Sequence, residues 1–223
     1  MTLGSIRALI MGAAVLLASS FPSLAQNRSG AFDFYVLSLS WSPSYCATGE
    51  GDRAQCGTDR NFSFVVHGLW PQRARDWPQN CNGERWVPQD LVGSMLDLMP
   101  SPRLVIQQWR KHGTCSGLDM RRYFETVRAA RAKVIVPERF RQPTSYIVTS
   151  AREVEAGFLA SNPGLAPNMI GVTCASRRLQ EVRICLDRSL SFTPCPEIDR
   201  RACRATQITM PPVRAGHAAS DRF

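Results

Sequence analysis

Lysine, histidine and long apolar runs are all scarce in this chain. Only Lys111 and Lys133 are lysines among the 27 basic residues, and only three residues are histidines. Beyond residue 25 no apolar run approaches the roughly 20 residues of a membrane-spanning helix. No cysteines have the Cys-x-x-Cys spacing of a zinc ribbon, and no repeat or low-complexity segment divides the sequence. The sequence therefore indicates no membrane protein, no repeat protein, no metal site and no cofactor.

Arginine supplies most of the positive charge. The 27 Lys and Arg residues exceed the 18 Asp and Glu residues, which gives a formal net charge of +9. Such a charge favours an anionic partner, either nucleic acid or an acidic membrane surface, without choosing between them. Solubility combined with a bias toward arginine explains the charge equally well at this point. A hydrophobic content of 44% excludes a disordered chain and indicates one globular domain.

The N-terminus has the pattern of a signal peptide. Arg7 precedes an apolar run over residues 8–17, and the small residues Ser23 and Ala25 provide a peptidase site. We predict cleavage after Ala25, so that residues 1–25 are removed and the mature protein is soluble and either secreted or periplasmic. All cysteines lie beyond this site, in an even number that suits disulfides in an oxidising compartment: Cys46, Cys56, Cys81, Cys115, Cys174, Cys185, Cys195 and Cys203. Spacing leaves their connectivity open, because eight cysteines allow on the order of a hundred pairings.

Strand patterns lie near both ends of the chain and helical patterns lie between them. Branched and aromatic residues, in part with strict alternation, predict strands over residues 34–39, 61–67 and 169–174. A turn at Ser176 and Arg177 is predicted to lead into a fourth strand, in which Val182, Ile184 and Leu186 recur at every second position. Helical spacing predicts helices from Pro88 to Pro100, from a Ser101 N-cap to His112, around Tyr123 and Phe124 up to Pro137, and after a Ser150–Glu153 capping box.

This arrangement predicts an α+β fold with a mainly antiparallel central sheet flanked by helices. We expect a single disulfide-stabilised domain over residues 26–210. Residues 211–223 are short of large apolar side chains and are predicted to form a loose tail.

Two of the three histidines occupy matching local settings. His67 ends a predicted strand, His112 ends a predicted helix, and each is followed by glycine. A glycine lets the backbone turn away and leaves the imidazole facing a cleft, where a pKa of about 6.5 suits proton transfer in either direction. A lone histidine is more often structural, but two in these settings favour a catalytic pair.

The residues around His112 strengthen that interpretation, and the alternative is that they lie near His112 by chance. Lys111 directly precedes His112, and its compact ammonium group suits a position beside a phosphoryl group. Gln108 lies four residues before His112 on the same helix face, and Gln107 borders that face.

At this point the sequence resembles a known family. Residues 64–71 (FVVHGLWP) and 109–115 (WRKHGTC) are similar to the two catalytic segments of the ribonuclease T2 family, and residues 32–46 and 171–174 are similar to further parts of it. The resemblance implies an α+β fold and metal-free cleavage of RNA, and we expect an endoribonuclease that acts on single-stranded RNA with broad base specificity. It implies that His112 is the base and His67 the acid, that a 2′,3′-cyclic phosphate forms, and that hydrolysis to a 3′-phosphate follows.

The second segment departs from the family pattern. The family usually has His-Glu-Trp where this chain has Gln107, Gln108 and Trp109, so amides replace a substrate-contacting histidine and an assisting carboxyl group. Gln108 still offers a hydrogen bond to a phosphoryl oxygen. We therefore expect activity, and the sequence leaves open whether the two amides reduce it.

Trp70 has two interpretations of equal weight, a platform on which an RNA base stacks and a core residue packed against Pro71. The loop closed by Cys81, with Trp77, Trp86 and several arginines, is interpreted as either an RNA guide or a solvated loop.

The resemblance also implies a disulfide framework. It pairs Cys81 with Cys115, which would tie the loop after the first catalytic segment to the end of the second. It nests Cys185–Cys195 inside Cys174–Cys203 and leaves Cys46 with Cys56.

Two other functions compete with an endoribonuclease that acts as a monomer. One is a secreted RNA-binding or toxin-like protein on the same fold, with catalysis weakened by the two glutamines. The other is a basic protein that binds an anionic surface, but it leaves both His-Gly segments unexplained.

Overall fold

A computed structural model describes residues 28–49, 51–58 and 60–213 of the chain. The predicted signal peptide lies outside the described residues, and so do residues 214–223 of the predicted tail. Residues 211–213 do not form a loose tail. The Trp41 indole donates a hydrogen bond to the Pro211 carbonyl oxygen (3.1 Å), and Val213 is buried. These contacts extend the packed chain through residue 213 rather than residue 210.

A six-stranded sheet forms the centre of the fold. Its strands are β1 (Phe34–Trp41), β2 (Phe64–Gln72), β3 (Ile147–Thr149), β4 (Ile170–Ala175), β5 (Arg178–Leu186) and β6 (Ile208–Met210). The order is β2-β1-β5-β6-β3, and β4 also pairs with β5. Every pair is antiparallel except β5 with β6, which confirms the predicted mainly antiparallel α+β fold.

Seven α-helices accompany the sheet in the described part of the chain: α1 (Ser42–Cys46), α2 (Arg53–Cys56), α3 (Gln89–Gly93), α4 (Pro102–Lys111), α5 (Met120–Ala132), α6 (Ala151–Ser161) and α7 (Pro196–Arg200). The predicted caps are confirmed. The Ser101 hydroxyl accepts a hydrogen bond from the Leu104 amide at the start of α4, and Ser150 and Glu153 form a capping box on α6. None of the described helices has the length and apolar character needed to cross a bilayer.

Two predicted elements have different bounds in the structure. The helix predicted from Pro88 to Pro100 ends at Gly93 and continues as turns, although Met95 and Met99 are still buried. The helical spacing of the apolar residues in this segment therefore reflects their burial and not a continuous helix. The strand predicted to end at His67 continues to Gln72, so this histidine lies inside β2.

Side chains from the two faces of the sheet enter different surroundings. On β1, Leu37 and Leu39 join a large core with the aromatic residues of α5, Tyr123 and Phe124. Val36 belongs to a second, smaller cluster. This second face carries the polar residues described below.

Four disulfides brace the fold with the pairings expected from the family resemblance: Cys46–Cys56, Cys81–Cys115, Cys174–Cys203 and Cys185–Cys195. Cys81–Cys115 connects the segment after β2 to the 3₁₀ turn Gly113–Cys115, which directly follows His112. Closing a loop of this length stabilises a fold by a few kcal/mol, on the order of 3.

Candidate active site

His67 is the extra residue of a β-bulge in β2. In the pairing of β1 with β2, Ser38 lies opposite Gly68 and Leu39 lies opposite Val66, so no residue of β1 faces His67. A bulge of this kind bends the strand and re-aims the side chain at the bulged position.

The bulge also changes which side chains share a face of the sheet. Val66 and Leu69 are three residues apart, yet both lie in the large core. His67 and Trp70 are likewise three apart and meet on the opposite face, with ring centroids separated by 5.3 Å. Regular alternation would place residues three apart on opposite faces, so the bulge is what brings His67 and Trp70 together.

His112 reaches the same tryptophan from the end of α4. It is the C-cap residue of that helix, and its ring stacks on Trp70 with centroids 5.3 Å apart and an angle of 29° between the planes. Gly113 follows because a β-carbon at this position would lie 2.3 Å from the Trp109 ring. The sequence setting of His112, a helix end followed by glycine, is therefore confirmed.

Burial keeps His112 uncharged. Burial, with smaller contributions from the charges of Lys111 and His67, lowers the pKa of His112 to about 3, far below the ordinary value that the sequence suggested. Its Nδ1 is buried without a hydrogen-bond partner among the described residues. At neutral pH the ring is therefore a neutral imidazole with a basic nitrogen available.

His67 is more exposed than His112 and is paired with a carboxylate. Its Nδ1 forms a hydrogen bond with Oε1 of Glu181, and its side chain is 38% exposed. Burial alone would raise the pKa of Glu181, but the hydrogen bond and charge of His67, together with Arg183, lower it to about 2. The carboxylate is thus ionised and can only accept, which places the proton on Nδ1 of His67.

Gln108 is buried beneath the tryptophan. The indole Nε1 of Trp70 donates a hydrogen bond to Oε1 of Gln108 (2.8 Å). An indole N–H cannot accept, so this bond fixes the amide orientation and leaves the NH₂ group to donate elsewhere. Gly68 makes the contact possible, since a β-carbon there would lie 2.0 Å from the Gln108 amide oxygen.

Lys111 and Gln107 are both exposed, four residues apart on one side of α4. The Lys111 ammonium group forms no hydrogen bond or ion pair with any other residue that the structure describes. The structure thus gathers His67, Trp70, Gln108 and His112 into one cluster, with Lys111 adjoining it. No hydrogen bond joins the Gln107 side chain to that cluster in the described part of the chain.

Trp70 packs against several partners in the site. In addition to the two histidines and Gln108, the Arg183 guanidinium lies 5.2 Å from its ring centroid. The contacts make Trp70 the residue on which both histidines are packed, while stacking of an RNA base on it stays a prediction. The two tryptophans of the loop interpreted as either an RNA guide or a solvated loop are exposed, Trp77 by 44% and Trp86 by 65%.

Glu181 and Arg183 were not identified from the sequence. Both lie on β5 at positions that alternate with the buried Val182 and Ile184, so they project from the opposite face. Charged residues alternating with core residues were the available signal. That signal does not reveal a contact with His67, which is 114 residues away in sequence.

The cluster has the chemical groups needed for acid–base catalysis. It combines a neutral imidazole, a second imidazole bonded to a carboxylate, an amide donor and a nearby ammonium group. In the described part of the chain, no three His, Cys, Asp or Glu side chains are grouped so that they could hold a metal ion.

Comparisons with known proteins agree with this arrangement. Residues 32–195, which include the whole cluster, match the model of the ribonuclease T2 family. A ribonuclease from Aeromonas hydrophila is 36% identical over 181 residues, which cover 78% of this chain and 81% of that protein. The intracellular ribonuclease LX of Solanum lycopersicum is 28% identical over 74% of this chain and 78% of its own length.

Solved structures show the same fold. An RNase-related protein from Calystegia sepium superposes with a TM-score of 0.66 at 22% identity, over 82% of this chain and 98% of that chain. RNase NT, solved in complex with 5′-AMP, gives a TM-score of 0.63 at 25% identity, over 81% of this chain and 98% of its own.

Proposed function

The chain belongs to the ribonuclease T2 family, and from that premise we propose that it is an endoribonuclease that cleaves single-stranded RNA by attack of the 2′-hydroxyl group on the adjacent phosphate. His112 acts as the general base and His67 as the general acid. The observation that carries this proposal is the contrast between the two histidines. Both pack on Trp70, but one is buried and neutral while the other is bonded to an ionised carboxylate.

In the first step the neutral His112 takes the proton from the 2′-hydroxyl group, and the 2′ oxygen attacks phosphorus. The bond between phosphorus and the 5′ oxygen breaks, and that oxygen takes a proton from Nε2 of the His67 ring, which carries a proton on each nitrogen before this step. The products are a 2′,3′-cyclic phosphate and a free 5′-hydroxyl. Each proton transfer commonly contributes about a hundred- to ten-thousandfold to the rate.

In the second step the two histidines exchange roles. His67 takes a proton from water, whose oxygen attacks the cyclic phosphate, and His112 returns its proton to the departing 2′ oxygen. The product is a 3′-phosphate. The negative charge of the bound phosphate favours the protonated ring of His112 during the interval between the steps.

Lys111 and Gln108 meet the charge that grows on the phosphoryl oxygens. The Lys111 ammonium group is exposed beside His112 and acts as a point charge. Gln108 has its oxygen committed to Trp70 and so presents its NH₂ group as a donor. Preorganised donors of this kind stabilise transition states because they need no rearrangement when charge develops.

The test uses purified residues 26–223, a single-stranded RNA oligonucleotide and excess EDTA. We expect cleavage at an unchanged rate in EDTA, with a cyclic phosphate detected by ³¹P NMR before the 3′-phosphate appears. An oligonucleotide with one 2′-deoxy nucleotide should resist cleavage at that nucleotide. Products with 5′-phosphate ends, cleavage of DNA, or dependence on a divalent ion would refute the mechanism. Binding of RNA without cleavage would indicate the weakened RNA-binding protein instead.

We also propose that the protein is exported after cleavage following Ala25, and that it acts as a monomer with broad base specificity. The disulfides support export, because such bonds persist in oxidising compartments. N-terminal sequencing of the exported protein, its mass in solution and cleavage of oligonucleotides with each base at the cleaved position test these three statements.

A further inference from the structure

Glu181 lies outside both sequence segments that carry the catalytic histidines, yet it is bonded to one of them. We infer that Glu181 is a positioning residue for His67, held in place by Arg183. The inference deepens the proposed function, because it rests on His67 acting as the acid.

The sheet brings these residues together across an intervening strand. His67 is on β2 and Glu181 on β5, and β1 lies between them, so their backbones are roughly 10 Å apart. On β1, Ser38 pairs with Gly68 and Ser40 pairs with Glu181. These short side chains leave room for the histidine and the glutamate to meet above β1. The bulge at His67 aims its ring toward this gap.

The two carboxylate oxygens of Glu181 have separate partners. Oε1 bonds to Nδ1 of His67, while Oε2 accepts from Nε (2.9 Å) and Nη2 (2.7 Å) of Arg183. The guanidinium of Arg183 also lies over Trp70, which itself packs against His67. The carboxylate is therefore fixed on both sides and has little freedom to rotate away from the histidine.

This contact determines which nitrogen of His67 serves the substrate. An ionised carboxylate holds the proton on Nδ1, so Nε2 is the atom that gives a proton to the 5′ oxygen. Because position 108 is an amide in this chain, Glu181 is the sole carboxylate bonded to a member of the catalytic cluster among the described residues.

The first experiment compares two substrates that differ in their need for an acid. A dinucleotide releases a 5′ alkoxide that must be protonated, whereas uridine 3′-(4-nitrophenyl phosphate) releases a nitrophenolate that needs no proton. We expect Glu181→Ala and Glu181→Gln to lower kcat on the dinucleotide by about ten- to a hundredfold, with KM little changed, which is less than removal of an acid itself costs. On the nitrophenyl substrate the loss should be less than about threefold, because a step that needs no acid has little to lose.

Glu155→Gln is the matched control. Glu155 is a partly buried carboxylate that accepts a hydrogen bond from the Val172 amide, away from the catalytic cluster. This variant should leave both substrates at wild-type rates. Equal losses on the two substrates in the Glu181 variants would overturn the inference, because they would indicate general damage to the fold.

The second experiment asks whether Glu181 acts through His67. In a His67→Ala background, Glu181→Ala should lower the rate no further. An additive loss would contradict a positioning role.

NMR of the ring nitrogens of wild-type His67 gives a reading that does not depend on activity or on the folding of a variant. We expect a proton on Nδ1 and none on Nε2 in the neutral ring. In the neutral ring, a proton on Nε2 in place of Nδ1 would overturn the inference even in an active enzyme. Failure of the wild-type protein to cleave either substrate would refute the proposed function while leaving this measurement of the Glu181 contact intact.

Discussion

The two His-Gly segments place the same side chain in opposite surroundings. His112 closes a helix, is 5% exposed and has no hydrogen-bond partner for Nδ1 among the described residues, and it is neutral. His67 sits on a strand bulge, is partly exposed and bonds to an ionised glutamate. Burial disfavours charge on the first ring, whereas an ionised carboxylate is hydrogen-bonded to the second, and this difference supports the proposed assignment of base and acid.

Removing either ring should have the largest effect. We expect His67→Ala and His112→Ala each to lower kcat/KM on RNA by at least about a hundredfold, with the double variant little worse than either single one. Thermal unfolding should show that both variants still fold. If either variant retained more than roughly a tenth of wild-type activity, the role of that histidine would be rejected.

Substitution of Gln108 tests the buried amide that accepts the hydrogen bond of Trp70. Gln108→Ala removes the remaining donor and the acceptor of the Trp70 hydrogen bond, so we expect a loss of about ten- to a hundredfold in kcat. Gln108→Glu restores the usual family residue and should equal or exceed wild-type activity at acidic pH, where a protonated carboxyl group can donate. Wild-type kinetics for Gln108→Ala at all pH values would show that the position has no part in catalysis.

The contrast between the surroundings of the two histidines should also appear in the way the free energy of unfolding depends on pH. An unfolded histidine takes up a proton below about 6.5, whereas His112 in the folded protein stays neutral down to about 3. Acidification through this range therefore favours the unfolded chain and costs a few kcal/mol, on the order of 2 to 5. Glu181 adds to the loss at lower pH, because its folded pKa of about 2 lies below the ordinary glutamate value.

His112→Gln removes the first of these losses and Glu181→Gln removes the second. Urea denaturation at several pH values between 7 and 3.5 should show that His112→Gln loses less stability than the wild type from pH 6.5 downward. The Glu181→Gln curve should follow the wild type until about pH 4.5 and diverge only below it. Parallel curves for all three proteins would contradict the assigned charge states.

Gln107 should have the smallest effect. Its side chain is exposed on α4 and has no hydrogen bond to the cluster in the described part of the chain, although the family resemblance places it where a substrate-contacting histidine usually lies. We expect Gln107→Ala to change kcat/KM by less than about threefold, within the range of a surface contact. A tenfold rise in KM would show that RNA extends over this side of the helix.

The sequence predicted the parts of the site that depend on local pattern. The helix cap at Ser101 and the turn after His112 are encoded within a few residues, so α4 and the placement of His112 followed directly. The four disulfide pairings came from the family resemblance, because spacing alone left them open.

What was missed depends on pairing between distant strands. The bulge at His67 is defined only by the register of β2 against β1. The sequence pattern of β2 alone therefore predicted a strand that ends too early, at His67. Glu181 meets His67 because β1 separates and aligns their strands, and no local pattern specifies that order. Alternation around Val182 and Ile184 is consistent with Glu181 facing away from the core, but it specifies no partner for this side chain.

The bulge at His67 lets one strand meet two separate requirements, the packing of the core and the placement of a functional side chain. Regular ladder positions on either side, such as Val66 and Leu69, bury side chains in the core and hold the sheet together. His67 occupies the inserted position and pairs with no residue of β1, so its identity is not constrained by the ladder. A substitution at this position can therefore change the chemistry while the sheet stays the same. Related proteins can lose or regain a proton donor here without a change of fold.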